Sequence, residues 1–502
     1  MILTDYSGAF QLTFGTGGLR GILGDGADRM NLYMVGRATL GVAEWLGRRG
    51  KAVVAYDTRL MSKEFARHTA QILADNGVEA HLFPRPVPTP ALSFAVRHLR
   101  ADAGICITAS HNPAEYNGYK VYGADGGQIT PGDAAVIAAR IQDYIEGEHR
   151  TSKQIVTVSE TVLSEYLDAV EALRLTNTPC DNLRVAYTPL NGAGLECVTE
   201  ILQRIGAEYI TVPEQTEPDG RFPTCPKPNP EEDSALELGM TLCLAQNCDF
   251  LLATDPDCDR VGVAVNHNGI MRRLTGNEVG VLLLEYIVRS LYENGKLPPN
   301  PVAVKTIVTT PMARAICDDY GIELRDVLTG FKYIGEQIGL LEQDGGAERF
   351  LFGFEESCGY LSGAHARDKD GVNAAMLICD MAADYKRRDM TLAGAIDALY
   401  RRYGQWVTRL RSVGAEPGIV DRLRHNQPKT IAGHPVLKVT DYLKRADGLT
   451  ADVLSYELEG GTVIVRPSGT EPKVKVYYLL RGMDDAEIDA DFQRLYLGRD
   501  TP

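Results

Sequence analysis

The sequence predicts an α/β protein of four domains: three related domains on mixed or parallel sheets, then a C-terminal α+β domain with an antiparallel sheet. Three observations carry this prediction. Strand-like apolar runs alternate with helical patterns through most of the chain, as in parallel sheets covered by helices. A weak repeat recurs three times, each unit opening on an apolar strand and later sending another apolar strand into a polar loop. The last stretch breaks the alternation and reads as strand, tight loop, strand. At 502 residues the chain is too long for one ordinary core, and three or four domains is the expectation.

In the first unit, Lys51-Ala-Val-Val-Ala-Tyr56 reads as a buried strand. Ser62 to Asn76 reads as a helix, with Ser62 as N-cap and Gly77 as its end, and Val78 to Phe83 as the next strand. The opening strands of the three units are Val53-Val-Ala-Tyr-Asp-Thr-Arg59, Arg184-Val-Ala-Tyr-Thr-Pro189 and Val302-Ala-Val-Lys-Thr-Ile-Val-Thr-Thr310. The loop-bearing strands are Ala103 to Ile107, running into Thr108-Ala-Ser-His-Asn-Pro113; Phe250 to Ala253, running into Asp255-Pro-Asp-Cys-Asp-Arg260; and Phe350 to Phe352, running into Gly353-Phe-Glu-Glu-Ser-Cys-Gly359. Ligands of open α/β sheets bind beyond the carboxyl ends of strands, so three such loops would build a site where the domains meet. The polar stretch Pro417 to Lys429 marks a boundary, followed by Thr462 to Arg466, the loop Pro467-Ser-Gly-Thr-Glu-Pro472 and the alternating strand Lys473 to Leu480. These readings divide the chain at 1–180, 181–298, 299–415 and 416–502.

Hydrophobic residues make up 44% of the chain and charged residues 24%, as in soluble globular proteins. A formal charge of −15 argues against a nucleic-acid partner, while leaving room for a local basic pocket that takes phosphate. No stretch reaches the roughly 18 apolar residues a membrane helix needs, so no membrane partner is expected. The best candidate, Val279 to Val288, is broken by Glu285. The N-terminal Met1-Ile-Leu-Thr-Asp-Tyr6 has no basic region leading an apolar one and does not read as a signal peptide. The ten cysteines form no CxxC pair, and Cys106, Cys197 and Cys379 have apolar neighbours. This pattern suits a reducing, cytoplasmic setting without structural disulfides. Cys258 and Cys358, inside candidate loops, read as small fillers between functional neighbours.

The most informative stretch places Asp255, Asp257 and Asp259 two residues apart. Alternate residues of an extended segment point the same way, so the spacing aims three carboxylates at one point. Converging carboxylates repel unless a cation neutralises them, and all-oxygen ligation suits a hard ion such as Mg2+. A solvated acidic turn is the competing reading. A calcium loop would need Gly and Glu where Arg260 and Asn266 stand.

Ser110, at a strand end beside His111, is a candidate nucleophile, with a turn serine as the alternative. It lacks the GxSxG elbow of a hydrolase. Lys120 follows in Asn117-Gly-Tyr-Lys120. Arg466, Ser468, Gly469 and Thr470 offer a phosphate cradle of forked donors, hydroxyls and accessible backbone N–H groups, unless they form an ordinary hairpin loop. Phe14-Gly-Thr-Gly-Gly-Leu-Arg20 is glycine-rich but lacks the Lys-Ser/Thr ending of a P-loop. The acids and hydroxyl of Gly353-Phe-Glu-Glu-Ser357 suit the hydroxyls of a sugar; an acid-rich helix N-terminus is the alternative.

Together these motifs resemble the α-D-phosphohexomutase superfamily, which includes phosphoglucomutases and phosphomannomutases. TASHNPAEYNGYKVY resembles its phosphoserine loop, DPDCDR its metal loop, GFEES its sugar loop and RPSGTEP its phosphate loop. They stand in the family's order and span its four domains. GFEES, with Thr329 to Gly335 (which contains Lys332) and His365 to Gly371, is similar to the phosphoglucomutase branch that also holds phosphopentomutases. The chain is short for that branch, with little before FGTGGLRG.

The resemblance implies a Mg2+-dependent phosphoglucomutase interconverting glucose 1-phosphate and glucose 6-phosphate, with glucose 1,6-bisphosphate as activator. Ser110 would carry the phosphoryl group and complete the metal site of Asp255, Asp257 and Asp259. Glu355 and Ser357 would hold the sugar, with Lys332 a further substrate contact. Arg466, Ser468, Gly469 and Thr470 would hold the distant phosphate, while Arg20 and Arg260 neutralise charge near the metal. Lys120 and Lys369 are the candidates for acid/base work or charge stabilisation, and His111 supports the serine loop. The turning intermediate implies a fourth domain that moves. The expected partners are small sugar phosphates, and the protein is expected to be a monomer or homodimer. A phosphopentomutase or phosphomannomutase is the nearest alternative. A metal-dependent phosphatase would instead release phosphate, and a non-catalytic sensor would need a damaged site.

Overall fold

The computed structural model describes residues 12–15, 17–141, 153–414, 418–445, 449–467 and 473–497. The first sheet holds β1 (Gly18–Ile22), β2 (Lys51–Tyr56), β3 (Glu79–Leu82), β4 (Ala103–Ile107), β5 (Tyr116–Gly123) and β6 (Val156–Thr157), in the order β1-β5-β4-β2-β3-β6. The second holds β7 (Arg184–Thr188), β8 (Glu208–Thr211), β9 (Phe250–Thr254), β10 (Val261–His267) and β11 (Ile270–Leu274), in the order β11-β10-β9-β7-β8. The third holds β12 (Val302–Thr306), β13 (Glu323–Val327), β14 (Phe350–Glu355) and β15 (Gly359–Ser362), in the order β13-β12-β14-β15.

These sheets share one unit, and the repeat in the sequence reflects it. A central strand (β2, β7 or β12) lies parallel to the next strand on one side and to the third on the other. The third strand then turns back through a loop into an antiparallel neighbour: β4 into β5, β9 into β10, β14 into β15. The central strands β2, β7 and β12, and β9 beside β7, are buried nearly throughout, which explains their apolar runs. All three loops therefore emerge at carboxyl ends of strands.

Helix Ser62–Asp75 follows β2 as the sequence predicts, but Ser62 is not its cap. Met61 holds the cap position at φ 67°. The Ser62 hydroxyl instead donates to Asp57 Oδ1 at 2.7 Å, in a buried network that ties β2 to β5 through Asn117. The apolar run at Val279 to Val288 lies within helix Gly276–Glu293, which opens on a capping box of Thr275 and Glu278. Glu285 is buried there, accepting from Arg289 at 3.1 Å and Tyr385 at 3.0 Å. Among the described residues no helix is long and apolar enough to cross a membrane. All ten cysteines are free and buried.

The C-terminal sheet is antiparallel, in the order β16-β22-β21-β20-β19. It is built from β16 (Val407–Gly414), β19 (Lys438–Asp441), β20 (Leu454–Leu458), β21 (Gly461–Pro467) and β22 (Lys473–Leu480), while β17 (Thr430–Ile431) and β18 (His434–Pro435) form a small separate pair. Strand β16 lies on the N-terminal side of residue 416, and Pro417 to Lys429 contains helix Ile419–His425, whose Ile419, Val420 and Leu423 are buried. This domain joins the third through an apolar seam in which Ile307, Val308 and Leu328 meet Tyr442, Ile464 and Leu479. Each such side chain, when fully buried, is worth about 1.5–3 kcal/mol.

Candidate active site

The serine loop follows β4. Ser110 sits at φ 52°, a left-handed conformation that turns its hydroxyl toward the second domain. Its Oγ donates to Asp255 Oδ2 at 2.7 Å and lies 3.3 Å from His111 Nδ1. Burial, then the guanidinium groups of Arg260 and Arg20, hold the His111 imidazole well below its usual range, so it is neutral. Arg20, on β1, donates to Asn112 Oδ1 at 3.2 Å from the open side of the loop.

A buried guanidinium grips this loop from behind. Arg59 donates to the carbonyls of Ser110, Asn112, Pro113 (2.9 Å) and Tyr116 (3.1 Å). Its own charge is balanced by Asp57 at 3.4 Å, and its face covers the Phe222 ring at 5.0 Å. The sequence pattern places Arg59 only at the end of an opening strand. The contact spans 51 to 57 residues and leaves no local signature.

The aspartate loop follows β9. Asp255, Asp257 and Asp259 are all buried and present ligand oxygens within 4.8 Å of one another. The reason differs from the one the spacing suggests, because the segment is not extended. Cys258 N–H closes a turn onto Asp255 O at 2.8 Å, and Cys258 is left-handed at φ 53°. The chain thereby folds around the carboxylates. Asp255 Oδ1 accepts from the N–H groups of Asp259 (3.1 Å) and Arg260 (3.0 Å).

Two ammonium groups reach the cluster. Lys120 Nζ lies 2.8 Å from Asp257 and 3.5 Å from Asp259; Lys369 Nζ lies 3.2 Å from Asp259 and 3.0 Å from Asp368. Gly359 makes room for the second, since a Cβ there would come within 2.3 Å of Lys369 Cδ. Burial, reinforced by repulsion from its two neighbours, pushes Asp255 well above the usual carboxylate range. Burial acts the same way on Asp257, but the ammonium of Lys120, a hydrogen bond with Asp255 and the charge of Lys369 together hold that acid low. Two buried oxygens, Asp257 Oδ1 and Asp259 Oδ1, have no hydrogen-bond partner. An all-oxygen cluster with such orphaned acceptors fits a hard divalent cation.

Residues of the first three domains and the C-terminal domain line one cleft of about 890 Å3, including His111, Arg260, Glu355, Ser357 and Arg466. Arg260 is paired with Glu231 at 2.6 Å. Glu355 accepts from Gly330 N–H at 2.9 Å, and burial raises its acid above the usual range. Burial and the neighbouring Glu355 push Glu356 up to about 7. Lys332 stands just beyond the cleft-lining Thr329 and Gly330, its ammonium over the Tyr333 ring at 5.4 Å. Ser468, Gly469 and Thr470 lie outside the described residues. Cys258 and Cys358 are buried left-handed turn residues, at φ 53° and 61°, whose thiols burial pushes up.

Lys227, Arg273, Arg409 and Lys475 also line this cleft and are absent from the motifs read above. Lys475 on β22 pairs in register with Arg466 and lines the same cleft. The alternation of Lys473-Val-Lys475-Val is the signal that marks it as sharing a sheet face.

Family descriptions of phosphoglucomutase/phosphomannomutase match this chain in sequence order: α/β/α domain I at 11–148, domain II at 164–269, domain III at 275–403 and the C-terminal domain at 422–489. A probable phosphomannomutase of Haemophilus influenzae is 37% identical over 92% of this chain and 95% of its own length. A phosphoglucomutase of Staphylococcus haemolyticus is 34% identical over 97% and 94%. Among solved structures, a putative phosphomannomutase from Thermus thermophilus superposes with a TM-score of 0.75 at 26% identity, covering 96% of this chain and 98% of that one. Fold and relatives thus define an isomerase-class phosphotransferase. The chain belongs to the phosphoglucomutase/phosphomannomutase family, within the α-D-phosphohexomutase superfamily that its motifs resemble.

Proposed function

We propose that this protein is a Mg2+-dependent phosphoglucomutase that interconverts glucose 1-phosphate and glucose 6-phosphate through a phosphorylated Ser110 and a sugar bisphosphate, in the cytoplasm. The observation that carries the reading is the hydrogen bond of 2.7 Å from Ser110 Oγ to Asp255, in a cluster whose Asp257 and Asp259 each keep a buried, unpartnered oxygen. Asp255, Asp257, Asp259 and the oxygen at Ser110 would hold Mg2+, which supplies positive charge against the phosphoryl oxygens.

A sugar hydroxyl attacks phosphorus on Ser110. The Oγ–P bond breaks as the sugar O–P bond forms, and the hydroxyl proton ends on Ser110 Oγ. Lys120 and Lys369, beside the carboxylates, are the groups placed to relay that proton or stabilise the moving charge. His111 supports the loop. Glu355 and Ser357 orient the sugar in either direction, Arg20 and Arg260 offset phosphate charge, and Lys332 supplies a further contact. Arg466, with Ser468, Gly469 and Thr470, holds the far phosphate. The bisphosphate turns in the cleft and its other phosphoryl returns to Oγ, so glucose 1,6-bisphosphate would also prime the unphosphorylated enzyme.

Mass spectrometry after exposure to glucose 1,6-bisphosphate tests this directly. We expect one phosphate on Ser110; a chain that remains unmodified would overturn the mechanism. A second reading, preference for mannose phosphates, is favoured by the 37% identical relative described as a probable phosphomannomutase. Turnover on glucose, mannose and ribose 1-phosphates separates the substrates, and faster turnover of either alternative would displace glucose.

A further inference from the structure

A second cavity, of about 700 Å3, lies at the joint between the third and C-terminal domains. The third domain contributes Lys305, Arg314, Arg325 and Asp326 to its wall, and the C-terminal domain contributes Arg445 and Thr462. The reaction above uses none of them.

Among the described residues, this wall carries more cations than carboxylates. Lys305, on the central strand β12, and Arg314 both turn to one carboxylate, Asp326, at 2.8 and 3.3 Å. Arg325 donates to Gln337 Oε1 at 3.1 Å and is paired with Glu323 at 2.7 Å. Arg445 faces them from the other domain, its guanidinium over the Tyr442 ring at 5.1 Å. Among the described residues, four cations and one carboxylate thus line a concave space in a protein of net charge −15, with Glu323 paired to Arg325 at its margin. Concave walls focus such a field, and guanidinium forks match phosphate oxygens.

The location adds a consequence. Leu479 lines both this cavity and the catalytic cleft. The two spaces are thus divided by the apolar seam of Ile307, Val308, Ile464 and Leu479, on which the C-terminal domain rests.

We propose that this cavity is a second, non-catalytic site for a small phosphate-bearing anion, which bridges Arg314 and Arg325 to Arg445. An anion held there ties the C-terminal domain to the third across the seam that sets the width of the catalytic cleft. It thereby acts as an effector of domain position.

Inorganic phosphate is the probe, used on the full chain carrying Arg466→Ala to weaken phosphate binding in the catalytic cleft. Hydrogen exchange should show saturable slowing at 323–327 and 442–445 as phosphate is added. In the Arg466→Ala background, Arg325→Ala with Arg445→Ala should raise the half-saturating concentration by about tenfold or more, the loss expected when charge-assisted bonds to an anion are removed. On the otherwise unaltered chain, the same pair should leave phosphate-free turnover within about twofold. Arg325→Gln and Arg445→Gln, made singly, serve if the double variant does not fold. No saturable slowing at tens of millimolar phosphate, or slowing that survives these substitutions, would overturn the site.

Discussion

The serine loop and the aspartate loop leave corresponding strands, β4 and β9, and meet at the Ser110–Asp255 hydrogen bond. Both turn on a single left-handed residue other than glycine, at φ 52° for Ser110 and 53° for Cys258. Such a conformation costs about 1–3 kcal/mol and persists only where surrounding contacts enforce it. The two loops are enforced differently. The serine loop has its carbonyls gripped from outside by the Arg59 guanidinium, while Thr108 Oγ1 accepts from Ser110 N–H at 2.8 Å within the loop. The aspartate loop braces itself with one of its own carboxylates: Asp255 Oδ1 takes two of the loop's backbone N–H groups while Oδ2 takes Ser110, and the N–H groups of Thr89, Ala193 and Gly371 bond the carbonyls of Asp257, Pro256 and Cys258 from outside. The side chain that reacts takes no part in bracing its loop, whereas Asp255 both faces the charged cluster and braces its own loop.

Ser110→Ala breaks the comparison at its reactive end. It should lower kcat by at least ~10^4-fold, as removal of a covalent nucleophile does, with thermal unfolding unchanged. Turnover near the wild-type rate would mean that another group carries the phosphoryl. Asp257→Asn tests the opposite loop. Asp257 accepts from Thr89 at 3.0 Å and Lys120 at 2.8 Å, so the change alters charge more than shape. It should cut kcat roughly 10^2–10^3-fold and raise the Mg2+ concentration needed for half-maximal rate. Chelation of divalent ions should reduce the unaltered enzyme by a similar factor, reversibly on adding Mg2+. Wild-type metal dependence in Asp257→Asn would remove that carboxylate from the ligand set.

Much of this was legible in the sequence, for a physical reason. Buried parallel strands must be apolar throughout, so Lys51–Tyr56 and Ala103–Ile107 stand out, as do the polar loops that interrupt such runs. The converging aspartates were legible too, but their route was not. Alternation along an extended strand predicts the convergence, whereas a turn at Asp255–Cys258 produces it. Left-handed residues that are not glycine carry no composition signal, which hides Ser110 and Cys258 as turn points. Ser62 looks like a helix cap because serine caps helices locally, yet a tertiary bond to Asp57 claims its hydroxyl. Arg59 was invisible for the same reason, since all its loop partners lie more than fifty residues away.

Arg59→Lys sharpens the claim that the serine loop is held externally. Lysine keeps the charge beside Asp57 but lacks the fork that spans several carbonyls. We expect kcat to fall about 10–100-fold with little change in KM, since positioning and not binding is lost. Arg59→Ala should add a stability loss of about 3–5 kcal/mol, because Asp57 would be left as a buried, unpaired charge. If Arg59→Lys turned over like the wild type, the loop would be self-supporting, and the contrast with the aspartate loop would vanish.

The smallest effect belongs to Cys258, at the turn of the aspartate loop. Its thiol is fully buried and packs where Gly194 leaves space, since a Cβ there would come within 2.9 Å of Sγ, while a Cβ at Gly371 would come within 2.5 Å of the Cys258 carbonyl oxygen. Its backbone, and not its sulfur, closes the turn. Cys258→Ala should therefore keep turnover within about twofold and cost about 1 kcal/mol in thermal or denaturant unfolding, the order expected for one buried heavy atom lost. Glycine at the same position would relieve the left-handed strain and offset part of that loss. A collapse of activity in Cys258→Ala without a matching loss of stability would give the thiol a chemical role, and the loop would then owe its function to more than its three carboxylates.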